Sequence, residues 1–123
     1  MKLTNDFNRS EFDCNDGSEM PKEVFLNIQK LANQLQALRD SLGVSITVNS
    51  AYRSPSYNKK IGGVSNSQHV LGKAADITAK GYTPAQVNAR IEQLIKSGDM
   101  LQGGLGSYSS FTHYDTRKTR ARW

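Results

Sequence analysis

Only two histidines occur in this chain, and an aspartate stands between them: His69, Asp76 and His113. Neutral imidazoles and a carboxylate are ligand types that a catalytic zinc takes, with one further position left for water. Two His plus one Asp is therefore a chemically complete set. His69 and Asp76 lie in Ser67-Gln68-His69-Val70-Leu71-Gly72-Lys73-Ala74-Ala75-Asp76, where a turn at Gly72 can aim both side chains inward. His113, in Phe111-Thr112-His113-Tyr114-Asp115, can join them from a neighbouring strand. Taken singly, each histidine reads better as a surface or hydrogen-bonded core residue, and spacing alone leaves both readings open. The single cysteine, Cys14, excludes an internal disulfide and a CxxC-type zinc knuckle, and reads as a half-buried small hydrophobe.

The elements that must position these residues follow from periodicity. From Pro21, the positions Phe25, Ile28, Leu31, Ala32, Leu35, Leu38 and Leu42 recur every three or four residues, which predicts an amphipathic helix ending near Gly43. Ser45 to Ser50 alternates, with Ile46 and Val48 on one face, as a half-buried strand does. Ala51 to Gln68 has neither period and reads as a long loop, suspect as a site wall. Ala74 to Ala79 reads as a buried strand. Thr83-Pro84-Ala85-Gln86 is a capping-box pattern that opens a second helix carrying Val87, Ile91, Leu94 and Ile95, with Gly98 placed to end it. Gly103 to Tyr108 and Phe111 to Thr116 suggest a hairpin, and the class is α+β.

At 123 residues the chain fits one domain. A hydrophobic fraction of 37% and a mean hydropathy of -0.60 describe a polar chain that can still fill a modest core. No apolar run approaches the roughly 20 residues of a membrane span, and Met1 to Asp6 lacks the apolar stretch of a signal peptide, so synthesis in the cytoplasm without a signal is expected. The formal charge of +5 implies attraction to polyanions, whether nucleic acid, an anionic lipid surface or an anionic bacterial wall. Much of it sits in Arg117, Lys118, Arg120 and Arg122, which read as a solvated basic tail. No helix-turn-helix, zinc-finger or stacked-aromatic pattern accompanies it, so no specific nucleic-acid partner is expected.

Three stretches taken together, Ser50-Ala51-Tyr52-Arg53-Ser54-Pro55, Ser67-x-His69-x-x-Gly72-x-Ala74-x-Asp76 and Phe111-Thr112-His113-Tyr114-Asp115, resemble the zinc D-alanyl-D-alanine carboxypeptidase family, which also includes phage L-alanyl-D-glutamate endolysins. The resemblance covers most of the chain. It implies one zinc ion held by His69, Asp76 and His113, a small α+β domain with a central antiparallel sheet flanked by two main helices, and hydrolysis of peptide bonds in bacterial peptidoglycan. It also implies that Arg53 holds a substrate carboxylate or carbonyl; Ser67 and Tyr108 are expected as further substrate-binding residues. The corresponding divisions are an N-terminal arm, 1–20, packed on the domain, a zinc peptidase domain, 21–116, and a basic tail, 117–123, in a monomer. Compact family members without an export signal are often phage lysis proteins released to the wall by a separate pore-former, and a phage or prophage source is expected.

Zinc hydrolysis needs a group to take a proton from water and return it to the leaving amine. Many family members carry an acidic residue, or a histidine, shortly before the late zinc histidine, whereas this chain has Ser110 there. The nearest carboxylate, Asp115, is nominated as the base, with a role orienting His113 or Arg53 as its alternative. The competing function is a catalytically impaired, zinc-containing module that binds the cell wall.

Overall fold

A computed structural model describes residues 1–123. The apolar stripe of the first helix, α1 (Lys22–Leu42), packs Val24, Ile28, Leu31, Ala32, Leu35, Leu38 and Leu42 into the core. Phe25, expected on that stripe, is only partly buried and carries the Arg9 guanidinium over its ring at 4.8 Å. Val24 takes its inward place. The arm ahead of α1 forms a 3-10 turn, Arg9–Phe12, and inserts Phe7 and Phe12 edge to face at 6.0 Å between centroids. Both are fully buried against the same core.

Five strands form one sheet in the order β1 (Ile46–Ser50), β2 (Ala74–Ala79), β4 (Thr112–Asp115), β3 (Gly104–Ser107), β5 (Ala121–Arg122). The first three pairings are antiparallel and β3 with β5 is parallel, so the sheet is mixed rather than purely antiparallel. Residues 117–123 are thus not the solvated tail expected from their charge. Ala121 and Arg122 add the edge strand, because Arg122 finds Glu92 at 2.9 Å and the carbonyl of Gly103 at 2.7 Å. The second long helix, α3 (Pro84–Ser97), opens on the capping box of Thr83 and Gln86 and buries Val87 and Ile91.

Two local features aim the sheet's open face. The stretch expected to be a plain loop, Ala51 to Gln68, contains a short helix, α2 (Pro55–Lys60), capped by the Ser54 hydroxyl accepting from Tyr57 N–H at 3.1 Å, with Pro55 at its first position. Between Val48 and Ser50 the β1–β2 register shifts, a bulge placed beside Asp76, since Ser50 faces Asp76 across the pair. Such bulges bend the strand and re-aim its side chains.

Candidate metal centre

Asp76 on β2 and His113 on β4 are register partners across an antiparallel pair, so their side chains rise side by side from one face of the sheet. His69 arrives from the turn that precedes β2. That turn depends on Gly72, whose φ of +74° is left-handed and whose position is closed against α1: a Cβ there would come within 2.6 Å of Val24 Cγ1. Ligand atoms of all three residues lie within 4.8 Å of one another, and each residue is buried. His69 Nε2 is 3.3 Å and His113 Nδ1 is 3.1 Å from Asp76 Oδ1.

The neighbours of the two imidazoles decide which nitrogen each presents. A carbonyl only accepts, so the 2.8 Å contact of His69 Nδ1 with Ala51 O requires the proton on Nδ1 and leaves Nε2 as a lone pair facing Asp76. His113 donates from Nε2 to Asp115 Oδ2 at 2.7 Å, which leaves Nδ1 facing the same Asp76 oxygen. Two lone pairs and a carboxylate oxygen converge, an arrangement that only a cation between them makes favourable. Tetrahedral bonds of about 2.0–2.1 Å would separate ligands by roughly 3.3 Å, close to both observed spacings, so the donor set fits zinc. Second partners behind both ligating imidazoles are the usual device for fixing tautomer and orientation.

Charge follows the same geometry. Where protons stand in for the cation, His113 and His69 donate to Asp76 in place of presenting lone pairs; burial opposes its ionisation, but these bonds outweigh it and hold its carboxyl well below the usual range. Burial likewise disfavours a charged His113, while Asp115 and Asp76 raise its pKa on balance, so protons and metal compete for the same nitrogens. The Arg53 guanidinium reaches Asp76 Oδ2 and Asn58 Oδ1, each at 3.4 Å, and Ser50 Oγ at 3.3 Å.

Asp115 does not occupy a base's position. Its side chain is fully buried, and it sits behind His113, on the Nε2 side of the ring, away from the nitrogen that faces Asp76. Both oxygens are committed: Oδ1 accepts from Gly104 N–H at 2.9 Å, Arg117 N–H at 3.1 Å and Arg117 Nε at 2.9 Å, and Oδ2 accepts from Arg117 Nη2 at 2.8 Å as well as from His113. Burial pushes its pKa up, yet His113 and Arg117 hold it well below the usual carboxylate range. Strand alternation put it on the face expected, but one imidazole away from the point where His69, Asp76 and His113 converge, and its contacts suit the orienting alternative better than a base.

The ligands open into a cleft of about 440 Å³ that Arg53, Ser67 and Tyr108 also line. Ser67 faces it with its hydroxyl accepting from His69 N–H at 3.2 Å. Asp76 is the one carboxylate among the lining residues. Two contributors went unread in the sequence, Arg117 and Trp123. The indole of Trp123 lies 4.9 Å from the His113 ring between centroids and covers Gly106, where any Cβ would meet it at 2.6 Å. Glycine at 106 and a tryptophan in the basic segment were the available signals, but neither reveals its partner without the β3–β5 pairing.

A buried His-Asp-His set with an open side defines a single-metal centre of the hydrolytic type. The model of the Peptidase M15 family matches residues 2–115, and the chain belongs to that family. It is also 37% identical over 111 residues to the zinc D-Ala-D-Ala carboxypeptidase of Streptomyces albus G, across 88% of this chain and 42% of that protein. The chain thus spans less than half the length of this relative.

Proposed function

We propose that this protein is a zinc peptidase that hydrolyses peptide bonds in the stem peptides of bacterial peptidoglycan. The observation that carries the reading is the convergence of His69 Nε2, Asp76 Oδ1 and His113 Nδ1 on one point at the floor of an open cleft. Zinc bound there would polarise a peptide carbonyl and bring the pKa of a water down to about 7. The chain's own residues do the rest. Ala51 and Asp115 keep the two imidazoles in ligating form. Arg117 keeps Asp115 ionised, so that the carboxylate goes on accepting from His113. Arg53 holds its three partners at 3.3–3.4 Å, long enough to exchange one for a substrate carboxylate or carbonyl, which a guanidinium fork can grip with two parallel hydrogen bonds. Two carboxylates offset two guanidiniums at the site, so a divalent cation leaves it net positive and attractive to the anionic stem peptide.

The test is metal analysis together with release of new amine ends from purified peptidoglycan. The wild-type protein should hold one zinc and release fragments, and His113→Ala should lose both. Full cleavage by His113→Ala would overturn the reading. Mass spectrometry of the fragments then separates a carboxypeptidase, which frees terminal D-alanine, from an endopeptidase of the endolysin kind. The unavailability of Asp115 and the serine at 110 favour a second reading, a zinc-stabilised wall-binding module. Zinc retained and protein pelleting with peptidoglycan, with no amine ends released, is the outcome that selects it.

A further inference from the structure

Contacts along the cleft run from Arg53 to Asp76, from Asp76 to His113, from His113 to Trp123, and from Trp123 to Tyr108. Arg53 therefore flanks the centre on the Asp76 side, and the tryptophan–tyrosine pair flanks it on the His113 side. Tyr108 is held from two directions. Its ring stacks on Phe111 at 4.4 Å and 11°, and its oxygen accepts the Trp123 indole N–H at 2.7 Å. That bond fixes where the oxygen sits and occupies an acceptor site, while the phenol's own proton has no protein acceptor. Among the other donors lining the cleft, Arg117 is taken by Asp115, while Ser67 accepts from His69 N–H and keeps its own O–H free; Tyr108 differs from Ser67 in being held from two directions on the His113 side. An oriented neutral donor, anchored two contacts from a ligating imidazole and half-exposed to the cleft, suits an oxygen that gains negative charge during reaction.

We propose that Tyr108 is a catalytic residue, donating its O–H to the scissile carbonyl oxygen as the carbonyl carbon becomes tetrahedral and that oxygen becomes anionic, and that Trp123 is the positioning residue that aims it. The inference rests on the peptidase reading above. No proton is transferred at this step. The phenol proton stays on Tyr108 and the hydrogen bond strengthens as charge accumulates. Trp123 reaches its position because β5 pairs with β3 and Gly106 leaves room for the indole, while the Arg117 guanidinium, 5.2 Å from the ring centroid, covers it.

Kinetics on the zinc-loaded protein should show Tyr108→Phe lowering kcat by about a hundredfold, the usual scale for losing one such donor, with KM changed by no more than a few-fold. Zinc content should not change. Trp123→Phe keeps a ring beside His113 but removes the N–H, and should lower kcat by about tenfold in the wild-type background yet add nothing in the Tyr108→Phe background, as expected of two groups acting as one. A binding measurement stands apart from turnover. Trp123 is the chain's one tryptophan, so its emission can follow binding of a phosphinate isostere of the bond the wild type cuts. Tyr108→Phe should bind that tetrahedral mimic about tenfold or more weakly, and the product peptide as the wild type does. Wild-type kcat and wild-type isostere affinity in Tyr108→Phe would overturn this inference alone. Absence of any cleavage by the wild type would overturn the peptidase reading and this inference with it.

Discussion

Asp115 shows how far one side chain's neighbours decide its role. A carboxylate two residues beyond a ligand on a strand shares its face, and that alone suits a base as well as a support. The bonds from His113, Arg117 and Gly104 select the support. Asp115→Asn tests this. The amide oxygen can still accept from His113, but the charge that balances Arg117 is lost. Zinc affinity, measured by competition with a chromophoric chelator, should fall by about 10–100-fold, the usual effect of removing such a partner. Turnover should return in part at saturating zinc. A base would give the opposite pattern, unchanged affinity with turnover lost at every zinc concentration.

At the scale of elements, the site depends on a turn and a strand pair meeting at fixed spacing. Gly72→Ala would force a left-handed residue against Val24 Cγ1 at 2.6 Å and Val24 O at 2.9 Å. Urea unfolding should show a loss of about 1–3 kcal/mol, with weaker zinc binding because His69 rides on that turn. Gly62→Ala is the control: its φ is +79° with no atom within 4 Å, so only the backbone cost of about 1–2 kcal/mol remains and zinc binding is retained.

Elements with a long or local signal were legible from the chain. The 21 residues of α1 give its stripe many turns in which to show a period, and α3 announces itself by Thr83, Pro84 and Gln86. The convergence of His69, Asp76 and His113 was open on spacing alone, and the family resemblance of the stretches around them is what pointed to it. The six residues of α2 are too few to show a period, leaving Ser54 and Pro55 as the whole signal. The two-residue β5 is too short to show a period and pairs in parallel with β3, from which β4 separates it in sequence, and the basic residues of 117–123 resemble solvated ones until Asp115 and Glu92 are seen to receive Arg117 and Arg122.

Across the whole molecule, carboxylates clasp the outlying segments to the body. Gln36 and Arg39 on α1 lower the pKa of Asp6 in the arm. Cys14, Ser18 and Ser54 together bring Asp16 to about 2 from an ordinary value of 3.8. Arg122 lowers that of Glu92 on α3. A carboxylate whose folded pKa is depressed stabilises the fold above its unfolded pKa and loses that contribution as pH falls through the folded value. For Asp16 the window runs from 3.8 down to about 2. Amide exchange followed over that range should therefore show the segments around Asp6, Asp16 and β5 loosening before the buried face of α1. Uniform loosening would count against the clasps. The same clasps change how the basic segment is to be probed. Deleting 117–123 would strip Arg117 from Asp115 and Trp123 from His113, so only the exposed Lys118 and Arg120 can be neutralised to isolate charge.

The seat of Trp123 beside His113 has a practical side. Any peptide joined after residue 123 begins at the rim of the cleft, one indole away from a ligating imidazole. A polyhistidine purification handle fused there would hold a high local concentration of rival imidazoles over the centre, able to strip its metal or to fill the open position. A handle fused ahead of Met1 would leave from the opposite end of the chain, where Lys2 bridges Asn8 in the arm.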